Sequence, residues 1–162
     1  MNKTAYVVYG RMNPPTKGHV HLIKTAGKMA ANNRAPLIVY TTYTYNGDLN
    51  PRGRKPKPEN RGKNPLPPGT IMRTLRLAFK DNKVLKSLPK AKGYYRGGIG
   101  SLNVRTTRAT GSRAQPTRAS MANKTQYPHK IFYGLANQGY KRAVLVVGSD
   151  RVKHFTKIFL YS

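Results

Sequence analysis

The sequence predicts an α/β fold built on a parallel β-sheet, and three observations lead to that class. An apolar strand pattern covers 5–9, a helical pattern covers 17–31, and a second apolar run covers 36–40. A strand, a helix and a strand within about 35 residues make a βαβ unit, whose right-handed crossover joins parallel strands. Further along, a helical pattern at 131–136 precedes an apolar run at 143–147, which adds another predicted strand.

The first helix is predicted from the three- and four-residue spacing of its apolar residues. Those residues are Val20, Leu22, Ile23, Ala26, Met29 and Ala30. Lys17, Lys24 and Lys28 fall largely on the opposite face of this helix. The run at 36–40 is too short for a helix, so it is predicted to be the second strand.

The chain from 41 to 69 is predicted to be a loop, with a turn at Asn46-Gly47-Asp48. Thr70–Phe79 is then predicted to be a helix with one apolar stripe that faces the core. The stripe consists of Ile71, Met72, Leu75, Ala78 and Phe79. A later helix begins at Ile131, and Gly139 is a suitable cap for its C-terminal end.

Two polar turns directly follow predicted strands. Gly10–His21, which reads GRMNPPTKGHVH, follows the strand at 5–9, and Gly148–Arg151 follows the strand at 143–147. In open parallel sheets, ligands bind outside the carboxyl ends of the strands. We therefore expect both turns at one edge of the sheet, with the ligand site between them.

The residue types in Gly10–His21 suit a phosphate. The first N–H groups of a helix have no intrahelical partner, and they bind anions together with the helix dipole. Pro14 and Pro15 make the turn rigid, and Thr16 is a suitable N-cap. Gly18 has no Cβ, so a ligand can come close to the backbone. His19 falls in the first helical turn, where its ring can donate a hydrogen bond to a phosphoryl oxygen.

Charge is the most unusual property of the composition. The 162 residues include 31 lysines and arginines against four acidic residues, which gives a net charge of +27. Self-repulsion at this level destabilises a compact chain unless anions screen it, so we expect nucleic acid or another polyanion as a partner. The absence of cysteine excludes disulfides and thiolate metal sites. No apolar run reaches the roughly 18 residues that a membrane span needs, and no signal peptide is recognised, so a soluble intracellular protein is expected.

Two basic segments interrupt the globular pattern and are predicted to be insertions in a single domain of 1–162. The segment at 46–66 is rich in proline and glycine, and 89–126 is rich in glycine, arginine and threonine. Either they are solvated loops, or they are arms that bind phosphates and become ordered on a polyanion. The candidate nucleic-acid-binding residues are Arg52, Arg54, Lys55, Lys57 and Arg61 in the first segment, and Arg96, Arg105, Arg108, Arg113 and Arg118 in the second.

Two motifs carry a family resemblance. Thr16-Lys17-Gly18-His19 resembles the [HT]-x-G-H signature of the HIGH-type nucleotidyltransferases, the cytidylyltransferase-like superfamily, and the longer string from Gly10 looks like its bacteriophage branch. The string at 146–151, Val-Val-Gly-Ser-Asp-Arg, resembles a second motif of that branch. Lys63-Asn64-Pro65-Leu66 is similar to a segment that follows its second strand.

The resemblance implies a Rossmann-like parallel sheet with helices on both faces. It also implies transfer of AMP or CMP from a nucleoside triphosphate to a phosphate or alcohol, with release of pyrophosphate. Mg²⁺ would be held mainly by the substrate phosphates, and no protein metal site is expected. The implied catalytic residues are His19, Lys17 and Thr16. The implied nucleotide- or phosphate-binding residues are Gly10, Arg11, Asn13, Gly18, Gly148, Ser149, Asp150 and Arg151.

The sequence also departs from the family. The family has a later motif with Ser or Thr and a basic residue for the distal phosphates, and nothing in Val152–Ser162 matches it. The fold is therefore expected to be shortened at its C-terminal end. The third strand of the family is expected at either Val84–Leu88 or Ile99–Val104. Two functions follow: a small nucleotidyltransferase, which the two motifs favour, or an inactive relative that binds nucleic acid in a ribonucleoprotein or virion, which the charge favours. The expected location is the cytoplasm, that of the host if the protein is phage-encoded, or the virion.

Overall fold

The computed structural model describes residues 3–41, 65–66, 68–91, 103–106, 131–132 and 135–153. These form a four-stranded sheet in which every neighbouring pair is parallel. The strands are β1 (Thr4–Tyr9), β2 (Leu37–Thr41), β3 (Asn103–Thr106) and β4 (Arg142–Val146), and the helices are α1 (Lys17–Asn32), α2 (Pro68–Phe79) and α3 (Lys83–Ser87). The predicted α/β class with a parallel sheet is confirmed.

The first βαβ unit forms as its pattern predicts. β1 pairs with β2 over four positions, from Tyr6 opposite Leu37 to Tyr9 opposite Tyr40. Both strands are continuous apolar runs, which is typical of parallel strands covered on both faces. α1 covers one of these faces with Ile23, all of whose surface is buried.

The strand order is β3-β2-β1-β4. Both β2 and β4 pair with β1, so the chain builds outward on one side of β1 and then returns to build on its other side. This order creates a reversal point between β1 and β4, the two neighbouring strands at which the order changes direction.

The structure decides between the two predicted positions of the third strand. Val84–Leu88 is not a strand, because Lys83–Ser87 forms α3, whose N-cap Asn82 accepts a hydrogen bond from Leu85 N–H at 3.0 Å. The strand is β3, which overlaps the other candidate, Ile99–Val104, and extends beyond it to Thr106. The segment at 89–126 therefore contributes a strand to the sheet, and Arg105 lies in that strand opposite Tyr40.

The sheet has a core on each face. On one face, side chains of β1 and β2 pack against α1, α2 and α3, with Ile71, Leu75, Phe79 and Leu85 fully buried. On the other face, alternate residues of the same strands pack against residues near 91 and 131–140. This second cluster consists of Ala5, Val7, Ile38, Tyr40, Ala91, Ile131, Leu135 and Tyr140.

Two apolar helix positions and one apolar strand are less buried than their patterns predict. Met29 of α1 is 38% exposed and Ala78 of α2 is exposed, because each lies at the margin of its helix's buried face. The apolar run of β4 predicts a buried strand, but its residues from Ala143 to Val146 are half-buried. β4 is an edge strand of the described sheet, which leaves it less covered than β1 and β2.

Two helix ends use left-handed residues. After α1, Arg34 has φ 50°, and Ala35 N–H donates to the carbonyl of Ala30 at 2.9 Å. At the predicted position, Gly139 has φ 94°, and Tyr140 N–H donates to the carbonyl of Leu135 at 3.1 Å. These are Schellman-type ends, in which a left-handed residue lets late N–H groups satisfy the last carbonyls.

Candidate functional site

The loops after β1 and β4 meet at the reversal point of the sheet. Val8 lies opposite Val146 in the parallel pair, so the two strands end at about the same level. α1 begins at Lys17, directly beyond the β1 loop, and a short 3₁₀ turn, Ser149–Arg151, follows β4. Open parallel sheets bind ligands at such points, and both predicted turns lie there.

The β1 loop is held to the sheet by its first residues. Gly10 N–H donates to the carbonyl of Tyr40 at 3.1 Å, which continues the ladder past the end of β1. Met12 is fully buried although its φ is 46°. A left-handed conformation costs an ordinary residue about 1–2 kcal/mol, so burial of the Met12 side chain must hold this turn in place. The Asn13–Pro14 peptide bond is cis.

Asn13 joins the β1 loop to a distant part of the chain. Its Nδ2 donates to the carbonyl of Leu66 at 2.8 Å, and Leu66 N–H donates to Asn13 Oδ1 at 2.8 Å. A side-chain amide that pairs with both groups of one residue mimics a strand ladder. In this structure the amide of Asn13 positions the loop, and the phosphate-binding role that the resemblance implies for Asn13 stays a prediction.

Thr16 and His19 form a reciprocal cap at the start of α1. Thr16 Oγ1 accepts a hydrogen bond from His19 N–H at 3.3 Å, and His19 Nδ1 accepts the Thr16 N–H at 3.0 Å. The predicted N-cap is confirmed, with histidine in the place that Glu or Gln takes in the usual capping box. Because Nδ1 is an acceptor, the neutral ring carries its proton on Nε2. Nε2–H is therefore left as a hydrogen-bond donor.

Two glycines lie near this cap, and Gly10 is the one beside the His19 ring. A methyl group on Gly10 would lie 3.2 Å from Met12 Cε and 3.6 Å from His19 Cδ2, the atom next to Nε2. A methyl group on Gly18 would meet only Thr16 Oγ1, at an ordinary 3.6 Å. Gly10 is thus tightly packed against Met12, whereas Gly18 has no packing neighbour that explains the absence of a side chain.

The turn after β4 adds a carboxylate and a guanidinium. Arg151 N–H donates to the carbonyl of Gly148 at 2.9 Å, which closes the turn, and Ser149, Asp150 and Arg151 are all exposed. A methyl group on Gly148 would lie 2.7 Å from Asp150 Oδ1. The absence of a side chain at Gly148 therefore lets the Asp150 carboxylate fold back over the turn.

The electrostatic environment of the site is positive. Burial lowers the pKa of His19 below its ordinary value of 6.5, and the nearby positive charge of Arg151 lowers it further. Lys17 and Arg11 are exposed at the same sheet edge. At neutral pH, His19 is therefore a neutral hydrogen-bond donor near cations. Among the described residues no carboxylate is paired with this histidine, so the arrangement suits an anion.

A titration checks this environment. In the ligand-free protein, NMR of the His19 ring should give a pKa below 6.5, and Arg151→Gln should raise it without reaching 6.5, since burial is the larger cause. In the pH interval between the lowered pKa and 6.5, the unfolded chain binds this proton more readily than the folded chain does. The stability from His19 is thus present above 6.5 and lost as the pH falls through the folded pKa. A His19 pKa at or above 6.5 would contradict the described environment.

The structure brings together the predicted site residues of the β1 loop and of the turn after β4. Several other predictions concern residues outside the described ranges. Arg105 is described as part of β3. The remaining predicted nucleic-acid-binding residues, and most of both basic segments, lie outside the described residues. Within the described ranges, no three His, Cys, Asp or Glu side chains are grouped to hold a metal, and no helix is long and apolar enough to cross a membrane.

Two features of the site were not predicted from the sequence. The pairing of Asn13 with Leu66 links residues 53 positions apart, and no local pattern marks it. The role of His19 Nδ1 as a cap acceptor was detectable, because Thr16 and His19 have the N-cap and N3 spacing of a capping box.

The chain belongs to the α/β class, with a polar, cationic site at the carboxyl edge of a parallel sheet. No family model matches the chain, and the searches of curated proteins and of solved structures found no match. The function is therefore argued from the geometry of the site.

Proposed function

We propose that the protein binds a nucleoside triphosphate at this edge and transfers its nucleotidyl group to a phosphate or alcohol acceptor. The observation that carries the proposal is the Thr16–His19 cap, which orients Nε2–H at the start of α1 beside Gly10. In this proposal the sheet is the first part of a Rossmann-like fold, since β3-β2-β1-β4 is the beginning of that strand order.

Three donor groups would hold the phosphates. The first N–H groups of α1 supply backbone donors and the positive end of the helix dipole. His19 Nε2–H supplies a neutral donor, and Arg151 supplies charge from the turn after β4. Gly18 lets a phosphate come close to the helix, which accounts for a glycine that packing does not require.

In this reaction the protein mainly positions the reacting groups and stabilises the charge on the phosphate. An acceptor oxygen attacks the α-phosphorus, the bond from that phosphorus to the bridging oxygen breaks, and pyrophosphate leaves with the electron pair. His19 and the helix N–H groups stabilise the charge on the nonbridging oxygens, and such stabilisation usually contributes most to catalysis of these reactions. Mg²⁺ would enter with the triphosphate as part of the substrate, and Asp150 is the one carboxylate that the described turns offer to it or to the nucleotide.

Calorimetry with Mg-ATP and Mg-CTP tests the proposal, with Gly18→Ala as the informative variant. The methyl group meets nothing closer than 3.6 Å in the protein, and alanine is favoured over glycine within a helix by up to about 1 kcal/mol. The variant should therefore be as stable as the native chain or more so. It should nevertheless bind the triphosphate at least about tenfold more weakly, because the methyl group would displace a phosphate that contacts the helix end.

The measurement needs enough salt to suppress diffuse attraction to the chain, whose net charge is +27. Release of pyrophosphate from the bound triphosphate, with a phosphate or alcohol as acceptor, then separates transfer from binding alone. Native-like affinity in Gly18→Ala, or equal weak binding of both nucleotides by the native chain, would contradict the proposed site.

The charge supports a second candidate, a nucleotidyltransferase-like fold without activity that serves as a structural nucleic-acid-binding protein. Only four carboxylates oppose 31 lysines and arginines. This candidate predicts nucleic-acid binding that His19 does not influence, and no saturable binding of a single triphosphate. The two candidates therefore differ in the outcome of the same calorimetry.

A further inference from the structure

A row of lysines lies on one flank of α1, away from the sheet. Lys17, Lys24 and Lys28 are all exposed. At 100° per residue, these three positions fall within roughly 40° of the helix circumference. The row is about 16 Å long at 1.5 Å per residue, and it starts in the first turn of α1.

α3 lies on the same flank of α1. The contact is made at Gly27, where a methyl group would collide with Leu85 Cδ2. Lys24 precedes Gly27 by three residues, which places it about 60° away around the helix. Lys83 and Lys86 are exposed on α3, the helix that packs against α1 at Gly27. We call Lys17, Lys24, Lys28, Lys83 and Lys86 the α1–α3 cationic face.

Little negative charge accompanies this face. Asp81, just before α3, is the one acidic residue in α1, α2, α3 and the short link from α2 to α3. Within the described part of the chain, no hydrogen bond or ion pair involves the side chains of Lys24, Lys28 or Lys83. A solvated protein surface normally mixes both signs, and this one does not.

We infer that the α1–α3 cationic face binds the phosphate backbone of a nucleic acid. Duplex DNA carries one charge per about 1.7 Å of its axis, so a row about 16 Å long faces several phosphates at once. The lysines lie on two helices, and on α1 they lead from Lys17 at the proposed nucleotide site to Lys28 toward the C-terminal end of the helix. This face lies on helices that the structure describes, and its binding of nucleic acid does not depend on the proposed nucleotidyl transfer.

Salt titrations of nucleic-acid binding test the inference. The triple variant Lys24→Gln/Lys28→Gln/Lys83→Gln keeps Lys17 and replaces each lysine with a residue of similar helix propensity. The probes are a labelled 20-base-pair DNA duplex and a labelled 20-nucleotide single-stranded RNA. Each lost contact lowers the slope of log K against log salt by about 0.9 for a duplex and 0.7 for a single strand. The triple variant should therefore lose about 2–3 units of slope.

The matched control removes three charges at another place. Lys3, Lys141 and Arg142 are exposed at the amino ends of β1 and β4, where Lys141 N–H donates to the Lys3 carbonyl. Lys3→Gln/Lys141→Gln/Arg142→Gln has the same net charge as the first triple variant, and its slope should stay near the native value. Equal slopes for the two variants would overturn the inference, as would an unchanged slope in the first.

Two further readouts keep the outcomes distinct. Binding to phosphatidylserine vesicles that falls only in the first triple variant, with nucleic-acid binding unchanged, would assign the face to a lipid surface and overturn the inference. At high salt, Mg-ATP and Mg-CTP binding should be unchanged in this variant. If the native chain binds no nucleotide and the triple variant still shows the expected loss of slope, the proposed function is refuted and the inference about the cationic face stands.

Discussion

His19→Glu is expected to abolish nucleotide binding without unfolding the protein. Thr at the N-cap with Glu three residues later is the usual capping box, so the introduced carboxylate can accept the Thr16 N–H that His19 Nδ1 accepts now. An acidic residue in the first turn also interacts favourably with the helix dipole. The free energy of unfolding should therefore stay within about 0.5 kcal/mol of the native value.

Binding should respond in the opposite way. A hydrogen bond to a charged group contributes about 1.5–3 kcal/mol, which is roughly 10- to 150-fold in affinity. The His19→Glu substitution removes that donor and adds a negative charge beside the phosphates, so the dissociation constant for the Mg-triphosphate should rise about 100-fold or more. The measurement is calorimetry at high salt, together with urea unfolding of the same samples.

His21→Glu is the matched control. His21 is exposed on α1, two residues beyond His19, and its substitution changes the net charge of the chain by the same amount. Native-like nucleotide binding by His21→Glu and lost binding by His19→Glu would locate the effect at the cap. Equal loss in both variants would mean that general charge, rather than the orientation of His19, governs binding.

The contact between α1 and α3 should give the largest change in stability. Leu85 is fully buried and packs on Gly27. Leu85→Ala should lower the free energy of unfolding by about 2–5 kcal/mol, the usual range for a core leucine. Gly27→Ala gains up to about 1 kcal/mol of helix propensity but inserts a methyl group that collides with Leu85, a kind of overpacking that costs about 1–3 kcal/mol.

The double variant Gly27→Ala/Leu85→Ala measures the energetic coupling across this contact. Truncation of Leu85 makes room for the methyl group. The double variant should therefore lose less free energy of unfolding than the two single variants lose together, by about 1–3 kcal/mol. Urea unfolding followed by circular dichroism measures all four chains. Additive effects would contradict the packing of α3 on α1 at Gly27.

Local patterns in the sequence were enough for most of the elements. The apolar runs of β1 and β2, and the helical spacing of α1 and α2, predicted elements whose ends agree with the structure to within two residues. Thr16 and Gly139 were also recognised correctly, because a helix cap depends on groups three to five residues apart. Such features are encoded within a few turns of chain.

The sequence was less informative for α3 and β3. The run at 84–88 reads equally well as a strand, and the signal for a helix was Asn82, which caps α3. β3 has four residues, and three of them, Asn103, Arg105 and Thr106, are polar. A strand this short is stabilised by its pairing with β2 rather than by its own composition.

By itself, the sequence determined the α/β class, the excess of positive charge and the chemistry of the turn around Thr16–His19. Only the tertiary structure decided that Arg151 lies close enough to His19 to lower its pKa, that Asn13 pairs with Leu66, and that α3 packs on α1 at Gly27. The physical reason is distance along the chain. Periodicity and capping act between near neighbours, whereas these three contacts form when the sheet and the helix layer bring remote residues together.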